Sequence, residues 1–364
     1  MRVFLLDLGH QFHSRQAHVL ALARLLDNTK DADLRVGCFA GGALSARLSA
    51  ANIPSLEIAA DSVNPFKLFR LWDYLKKSEP DIVHVFGGDA VAVIRKCPVK
   101  GRTRVFVTLS STPLEEPERR VPAACLTGAP PYGSVCRVFC PSVNTLNKLQ
   151  ASGISSALLR SLPHAVSGEA IRQRRPRADG RFVFLASAPL TPESGLMTLI
   201  EALTLLKGRD DVPPWELRII GRGKYFHKLL DRARELGVDA FLSLLGSQDP
   251  EEQLPLCDVA VTTNLTSEDR NFFMLQAWHA HVPLICSAVP STVELLGSER
   301  NALTYVPGNS AALASAMLRC MLDPGLYQRL LKAGQTEFPR HTHEAVCASI
   351  LESYEEAMAT PSRA

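Results

Sequence analysis

Short apolar runs alternate with amphipathic stretches along most of the chain, and this alternation constrains the fold more than any other feature. Runs such as Val3–Leu8, Ile82–Phe86 and Phe182–Ala186 have the length and apolarity of buried strands. Amphipathic stretches such as Arg15–Leu26 and Leu196–Leu206 have helical spacing and lie between strands. The pattern predicts an α/β fold with parallel sheets.

The alternation occurs twice, on either side of a basic segment at 171–180 that has almost nothing to bury. A chain of 364 residues is also long for a single hydrophobic core. We therefore predict an N-terminal domain over 1–170, a linker over 171–180 and a C-terminal domain over 181–338, with a final helix over 340–358 that joins the N-terminal domain. A second interpretation of the basic linker is contact with phosphate or with a membrane surface.

Composition and charge argue against several classes of protein. The formal net charge of +3 is too small to predict a nucleic-acid partner. Asp7 interrupts the first apolar run, and no run approaches the ~18 apolar residues of a membrane span. The nine cysteines are odd in number and lie mostly in apolar runs, so we expect reduced thiols, and we interpret Cys136 and Cys140 as strand thiols rather than a metal clip. These features predict a cytoplasmic protein. A second interpretation is a cytoplasmic protein that binds peripherally to the inner face of the membrane.

One run in the second half carries a resemblance to a known family. Ser267–Leu284 is similar, without a gap, to the signature of the family-4 retaining glycosyltransferases. That signature has a Glu in a turn, an apolar helix start, a second Glu after seven intervening residues, and a Gly-x-Pro before a strand. Leu217–Gly223 matches the family's strand followed by Gly-x-Gly, while Pro290–Leu295 and Asn301–Asn309 resemble its next elements.

The resemblance implies both a fold and a reaction. The fold is GT-B, in which two Rossmann-like, doubly wound parallel-sheet domains face each other across a cleft. The reaction moves a sugar from a nucleotide-diphosphate sugar to the hydroxyl of a saccharide or lipid-linked acceptor, with retention and without a metal or other cofactor. Surface glycan or lipid-linked saccharide assembly is the implied setting. A Rossmann oxidoreductase is disfavoured because no Gly-x-Gly-x-x-Gly follows the first strand.

The resemblance also implies a set of site residues. Glu268 stands where the family's first carboxylate contacts hydroxyls of the donor sugar, although acidic capping of a helix is the alternative. Gln276 replaces the second Glu, which grips the ribose; its amide either binds the hydroxyls without charge assistance or faces solvent. The implied donor-binding residues are Gly221, Arg222, Lys224, Arg270, Asn271, Phe272, Gln276 and Glu294.

The chain departs from the family where the leaving diphosphate is neutralised. Pro189 and Ser194 stand in place of an Arg and a Lys, so other cations must supply the charge. Arg222, Lys224 and Arg270 are the nearest candidates, and the alternative is that they are solvated loop charges. This departure supports a second hypothesis, a GT-B protein that has lost turnover and binds nucleotide sugar or glycan as a partner subunit.

In the N-terminal half we expect a further set of residues at the cleft. The turn Gly87-Gly88-Asp89 is predicted to let the backbone approach a ligand. The long loop Pro113–Gly133 is either an acceptor-facing or membrane-facing lid or disordered. Ser110 follows a strand after which family members often have a His. The expected cleft residues are Gly9, His10, Gly87, Gly88 and Ser110.

Overall fold

The computed structural model describes residues 1–10, 14–29, 32–59, 68–97, 99, 102–109, 134–168, 180–266, 272–296 and 301–360. Two compact units divide the chain. One unit contains Met1–Ala165 together with Thr342–Ala364, and the other contains Val166–His341.

The N-terminal unit is built on a seven-stranded parallel sheet. Its strands are β1 (Arg2–Asp7), β2 (Asp33–Phe39), β3 (Ser55–Ile58), β4 (Ile82–Phe86), β5 (Arg104–Thr108), β6 (Ser134–Cys140) and β7 (Leu159–Ser161). The helices between them are α1 (Ser14–Asp27), α2 (Ala43–Ala50), α3 (Phe69–Ser78), α4 (Gly87–Ile94) and α5 (Val143–Ala151).

The strand order of this sheet is β3-β2-β1-β4-β5-β6-β7. The chain moves outward from β1 to β3 and then returns to place β4 beside β1, so the direction of winding reverses between β1 and β4. Open α/β sheets bind their ligands outside the carboxyl ends of the strands at such a reversal. The loops after β1 and β4 are therefore the place to look for a site in this unit.

The C-terminal unit repeats this architecture with six parallel strands. They are β8 (Phe182–Ser187), β9 (Trp215–Ile220), β10 (Leu242–Gly246), β11 (Val259–Thr262), β12 (Leu284–Ser287) and β13 (Leu303–Tyr305). The helices are α6 (Leu196–Leu203), α7 (Phe226–Glu235), α8 (Pro250–Gln253), α9 (Phe272–His279), α10 (Pro290–Leu296), α11 (Ser310–Leu322) and α12 (Pro324–Glu337). The order β10-β9-β8-β11-β12-β13 reverses between β8 and β11.

Central strands are buried on both faces, as expected when helices cover both sides of a parallel sheet. Phe4, Leu5 and Leu6 are consecutive in β1 and each is 0% exposed. After α12 the chain forms α13 (His343–Ala359), which belongs to the N-terminal unit and packs through Ile350 and Tyr354 into its core.

The two parallel, doubly wound sheets confirm the predicted fold class. Sequence analysis missed three short elements: β3, α4 and α5. The predicted linker 171–180 lies outside the described residues apart from Gly180.

Candidate functional site

At the point where the strand order of the C-terminal sheet reverses, a close backbone contact joins the loops after β8 and β11. Gly195, at the start of α6, has φ +69°, and a Cβ built on it would overlap the carbonyl oxygen of Thr263, just beyond β11. The Thr263 hydroxyl donates to the carbonyl oxygen of Ser194 at 2.6 Å. The loops after β8 and β11 are therefore held together, and only glycine fits at position 195.

A second contact joins the loops after β8 and β9. Ala188 N donates to Ile220 O at 3.0 Å, Leu190 N donates to Arg222 O at 2.9 Å, and Tyr225 N donates to Leu190 O at 3.1 Å. A Cβ on Gly221 would overlap the carbonyl oxygen of Ala188. The Gly-x-Gly that marks the site in the sequence thus permits two loops to pair at the carboxyl edge of the sheet.

This pairing places two of the predicted donor-binding cations beside the neutral loop. Arg222 and Lys224 are both exposed and flank Gly223, directly against the loop that carries Pro189. Neither forms an ion pair with another of the described residues. Their charge is thus available to an anion at this edge of the sheet.

The residues that replace the family's two cations make different contacts. Pro189 is exposed, whereas Ser194 is 5% exposed and its hydroxyl donates to the carbonyl oxygen of Thr191 at 2.7 Å. The Ser194 hydroxyl is therefore used within its own loop.

Helix α9 carries two further predicted donor-binding residues. Phe272 is its first residue and is partly exposed, whereas Gln276 is 6% exposed. The interpretation of Gln276 as a solvent-facing side chain is wrong, because α9 is buried around it. The Gln276 Nε2 group donates to Oε1 of Glu251 on α8 at 3.2 Å. Sequence analysis did not identify Glu251, since only the tertiary fold brings α8 against α9.

Of the remaining predicted residues of this unit, only Glu294 lies within the described residues. Glu294 is partly exposed on α10, after β12. Glu268, Arg270 and Asn271 lie outside the described residues.

In the N-terminal unit, the glycines expected to approach a ligand surround Arg15 instead. A Cβ on Gly87 would overlap the Arg15 guanidinium, and a Cβ on Gly9 would lie 2.8 Å from its Nη2. Gly87 has φ +81° and starts α4 directly after β4, with Gly88 as the second helical residue. The predicted Gly87-Gly88-Asp89 turn thus forms the first turn of a helix, and the Arg15 side chain occupies the space beside Gly87.

Of the other expected cleft residues, only His10 lies within the described residues. His10 is exposed and its ring packs on Phe39, with centroids 3.8 Å apart. Ser110 and the loop Pro113–Gly133 lie outside the described residues.

A small cavity of about 60 Å³ lies at the carboxyl edge of this sheet. Burial, followed by the neighbouring His343 and His164, lowers the pKa of His18 in its wall to about 3. His18 is therefore neutral at pH 7. The lining residues are Arg15, His18, Phe86, Thr108, Leu109, Pro141, Leu162, Pro163, His164 and Ala165.

A buried histidine fastens the last helix to this unit. Nδ1 of His84 is hydrogen-bonded to the Tyr354 hydroxyl at 2.6 Å, and Nε2 to the Thr108 hydroxyl at 2.7 Å. His84 is 0% exposed, and burial holds its pKa well below the usual range. His84 is thus a structural residue that joins α13 to β4 and β5.

Within the described part of the chain, no group of three His, Cys, Asp or Glu side chains is arranged to hold a metal ion. The eight described cysteines are free thiols; Cys140 is buried and Cys136 is partly exposed. Among the described residues there is no helix with the length and apolarity needed to cross a membrane.

Comparison with known proteins gives first the fold and then a family model that matches the C-terminal half. Anabaena HepE in complex with UDP and glucose superposes with a TM-score of 0.76 at 17% identity, over 98% of this chain and 100% of that structure. The chain therefore has the GT-B fold. Residues 167–337 match the model of glycosyl transferases group 1.

Two curated relatives extend the similarity. The phosphatidyl-myo-inositol mannosyltransferase of Mycobacterium leprae is 26% identical over 168 residues, which are 45% of this chain and 43% of the relative. The lipopolysaccharide 1,6-galactosyltransferase of Salmonella typhimurium is 25% identical over 277 residues, which are 74% of each chain. The match to the mannosyltransferase thus spans less than half of that protein's length.

Proposed function

We propose that this protein is a glycosyltransferase that moves a sugar from a nucleotide-diphosphate sugar to an acceptor hydroxyl with retention. The matching family model and the relatives, a mannosyltransferase and a galactosyltransferase, support sugar transfer. The names of these relatives specify a phosphatidylinositol and a lipopolysaccharide, which supports a lipid-linked or surface-glycan acceptor. The UDP bound by HepE makes UDP-sugars the first donors to test.

One observation carries the proposal: the loop of Arg222 and Lys224 is hydrogen-bonded to the loop of Pro189 at the carboxyl edge of the sheet. Arg222 and Lys224 thus lie next to the loop of Pro189, where the resemblance places one of the family's two missing cations. A developing diphosphate charge is stabilised most by donors that are already in position when it forms. In our proposal Arg222 and Lys224 supply this charge without a metal.

The other roles follow from the reaction. Glu268 holds hydroxyls of the donor sugar, and the leaving diphosphate takes the proton of the acceptor hydroxyl as the new bond forms. Binding both substrates in this orientation and stabilising the leaving group provide most of the rate enhancement. Arg270 and Asn271, at the start of the same signature, are proposed to assist at the diphosphate.

The test is release of nucleoside diphosphate from UDP-glucose, UDP-galactose and GDP-mannose, with and without lipid-linked acceptors. We expect turnover with one donor and loss of that turnover in Glu268→Ala. The new linkage, examined by NMR, should have the same anomeric configuration as the donor sugar. Glu252→Ala, at an exposed carboxylate on α8, is the control and should keep wild-type activity. Turnover that Glu268→Ala leaves unchanged would contradict the assigned role, and an inverted linkage would contradict retention.

One observation favours the binding-only alternative. The Ser194 hydroxyl already donates its hydrogen to the carbonyl oxygen of Thr191. This side chain, which replaces one of the family's cations, therefore has no hydrogen left to donate to a phosphate. The alternative predicts that the wild type binds a nucleoside diphosphate and releases none from any donor. Calorimetric titration beside the turnover assay separates these two functions.

A further inference from the structure

Gln276 and Glu251 form a hydrogen-bonded pair across two helices. Gln276 lies in the second turn of α9 and is 6% exposed, and its Nε2 group lies 3.2 Å from Oε1 of Glu251. Glu251 lies in α8, between β10 and β11, and remains partly exposed. A carboxylate from α8 is thereby brought to the one position of the α9 signature where the chain has an amide in place of a carboxylate.

Charge determines the orientation of the amide. A carboxylate only accepts hydrogen bonds, so the Gln276 NH₂ group must face Glu251, and the reverse orientation would set two acceptors against each other. The amide oxygen then faces away from Glu251, and it accepts no hydrogen bond from another of the described residues. The pair therefore offers acceptors from both side chains and keeps the negative charge on Glu251.

The start of α8 holds Glu251 in this position. Oδ1 of Asp249 accepts a hydrogen bond from the backbone N–H of Glu251 at 2.9 Å, and Pro250 occupies the first helical position. The end of the segment is anchored by Leu254 and Pro255, which are buried. Glu251 is therefore presented by a capped, anchored turn rather than by a free loop.

We propose that Glu251 is the carboxylate that binds the ribose hydroxyls of the nucleotide donor, with Gln276 as the residue that positions it. A carboxylate is the usual protein partner of ribose hydroxyls in doubly wound nucleotide sites, because it accepts charge-assisted hydrogen bonds from two neighbouring hydroxyls. The Gln276 amide oxygen provides a further acceptor beside it. This inference rests on the proposed nucleotide-sugar function and names the residue that recognises the sugar of the nucleotide.

The test compares each nucleoside diphosphate with its 2′,3′-dideoxy analogue. UDP, GDP and ADP are titrated calorimetrically into the wild type, and the tightest binder is carried forward with its dideoxy form. We expect Glu251→Gln to bind the ribose form at least about tenfold more weakly and to leave the affinity for the dideoxy form unchanged. Glu252→Gln, which changes an exposed neighbouring carboxylate on the same helix, should alter neither affinity.

Exchanging the two side chains gives a stronger test. Gln276→Glu alone sets two carboxylates within hydrogen-bonding distance, so their repulsion should weaken binding of the ribose form. The double variant Glu251→Gln/Gln276→Glu keeps one amide and one carboxylate and should recover most of the wild-type affinity. Glu251→Asp keeps the charge but shortens its reach, and it should weaken only the ribose form.

The outcomes distinguish this inference from the proposed function. If the wild type binds no nucleoside diphosphate, both the function and the ribose role fall. If it binds one and Glu251→Gln has no effect, or weakens the ribose and dideoxy forms equally, the role of Glu251 is wrong while the function stands.

Discussion

Nε of Arg15 lies 2.6 Å from Oδ2 of Asp7, and this ion pair is enclosed at the carboxyl end of β1. The Asp7 side chain is 0% exposed and that of Arg15 is 18% exposed. Oδ1 of the same carboxylate accepts hydrogen bonds from Gly9 N and from Gln16 Nε2, each at 2.8 Å. Since water does not reach Asp7, its charge depends on these partners.

Arg15→Leu should therefore lower the free energy of unfolding of the N-terminal unit by about 3 kcal/mol, because it leaves a buried carboxylate without its cation. Urea unfolding followed by circular dichroism measures the change. Lys77→Leu is the matched control, since the Lys77–Asp73 ion pair is exposed and should contribute only about 0.5 kcal/mol. Equal effects of the two substitutions would contradict the assigned importance of the buried pair.

The surroundings of Arg15 also show what a sequence can and cannot reveal about a site. Glycine at 9 and 87 predicts a close backbone approach, and the approach exists, but a side chain of the same chain occupies it. Short apolar runs predicted strands such as β4 and β8 because these are apolar along most of their length. The helix α4 was missed because its Gly-Gly start is typical of a loop, and the left-handed φ of Gly87 lets the helix follow β4 without one.

The predicted donor-binding residues also include features that the sequence alone reveals and contacts that it does not. The Gly-x-Gly and the signature helix could be predicted because both are local patterns. The contacts of Arg222 with the Pro189 loop and of Glu251 with Gln276 join residues that are 25 or more positions apart, and no local pattern signals them. The three departures from the family's charged residues, at Pro189, Ser194 and Gln276, were visible in the sequence. The charged side chains beside them, Arg222, Lys224 and Glu251, could be identified only in the fold.

Tyr354→Phe should destabilise the attachment of α13. Its hydroxyl is hydrogen-bonded to buried His84, and its loss leaves one polar atom of His84 unsatisfied, at a cost of about 1–3 kcal/mol. Amide hydrogen exchange in α13 and in β4 should be faster in Tyr354→Phe than in the wild type. Exchange in β9, in the other unit, should be the same in both proteins. Phe106→Leu, a core change beside the same ring, is the control for general loosening. If it speeds exchange in α13 and β4 as much as Tyr354→Phe does, the assigned role of the hydrogen bond is wrong.

His18 should make the N-terminal unit sensitive to acid. Its pKa is lowered from 6.5 to about 3 in the folded protein, so the unfolded chain binds a proton first as the pH falls. Stability is full above pH 6.5 and declines from there towards pH 3, by about 2 kcal/mol at pH 5 from this group alone. Urea unfolding at pH 7.5, 6 and 5 measures the slope.

His18→Gln should flatten this slope, because glutamine does not titrate. Part of the slope will remain, since the pKa values of buried His84 and His343 are lowered in the same direction. His227→Gln, at an exposed position, should leave the slope unchanged. If His18→Gln and His227→Gln behave alike, the assigned cause of acid sensitivity is wrong.

Arg222 and Lys224 together provide the most direct test of how the leaving diphosphate is neutralised. The double substitution Arg222→Ala/Lys224→Ala removes two charge-assisted contacts, so nucleoside diphosphate should bind about tenfold or more weakly and turnover should fall at least as much. Arg234→Ala removes a cation of the same unit that is already paired with Asp231 and should change neither. Because these side chains take the role of a metal in the proposal, EDTA should leave wild-type turnover unchanged. If EDTA abolishes turnover, Mg²⁺ restores it and the double substitution has little effect, the proposal is wrong. A bound cation, and not the two side chains, would then neutralise the diphosphate.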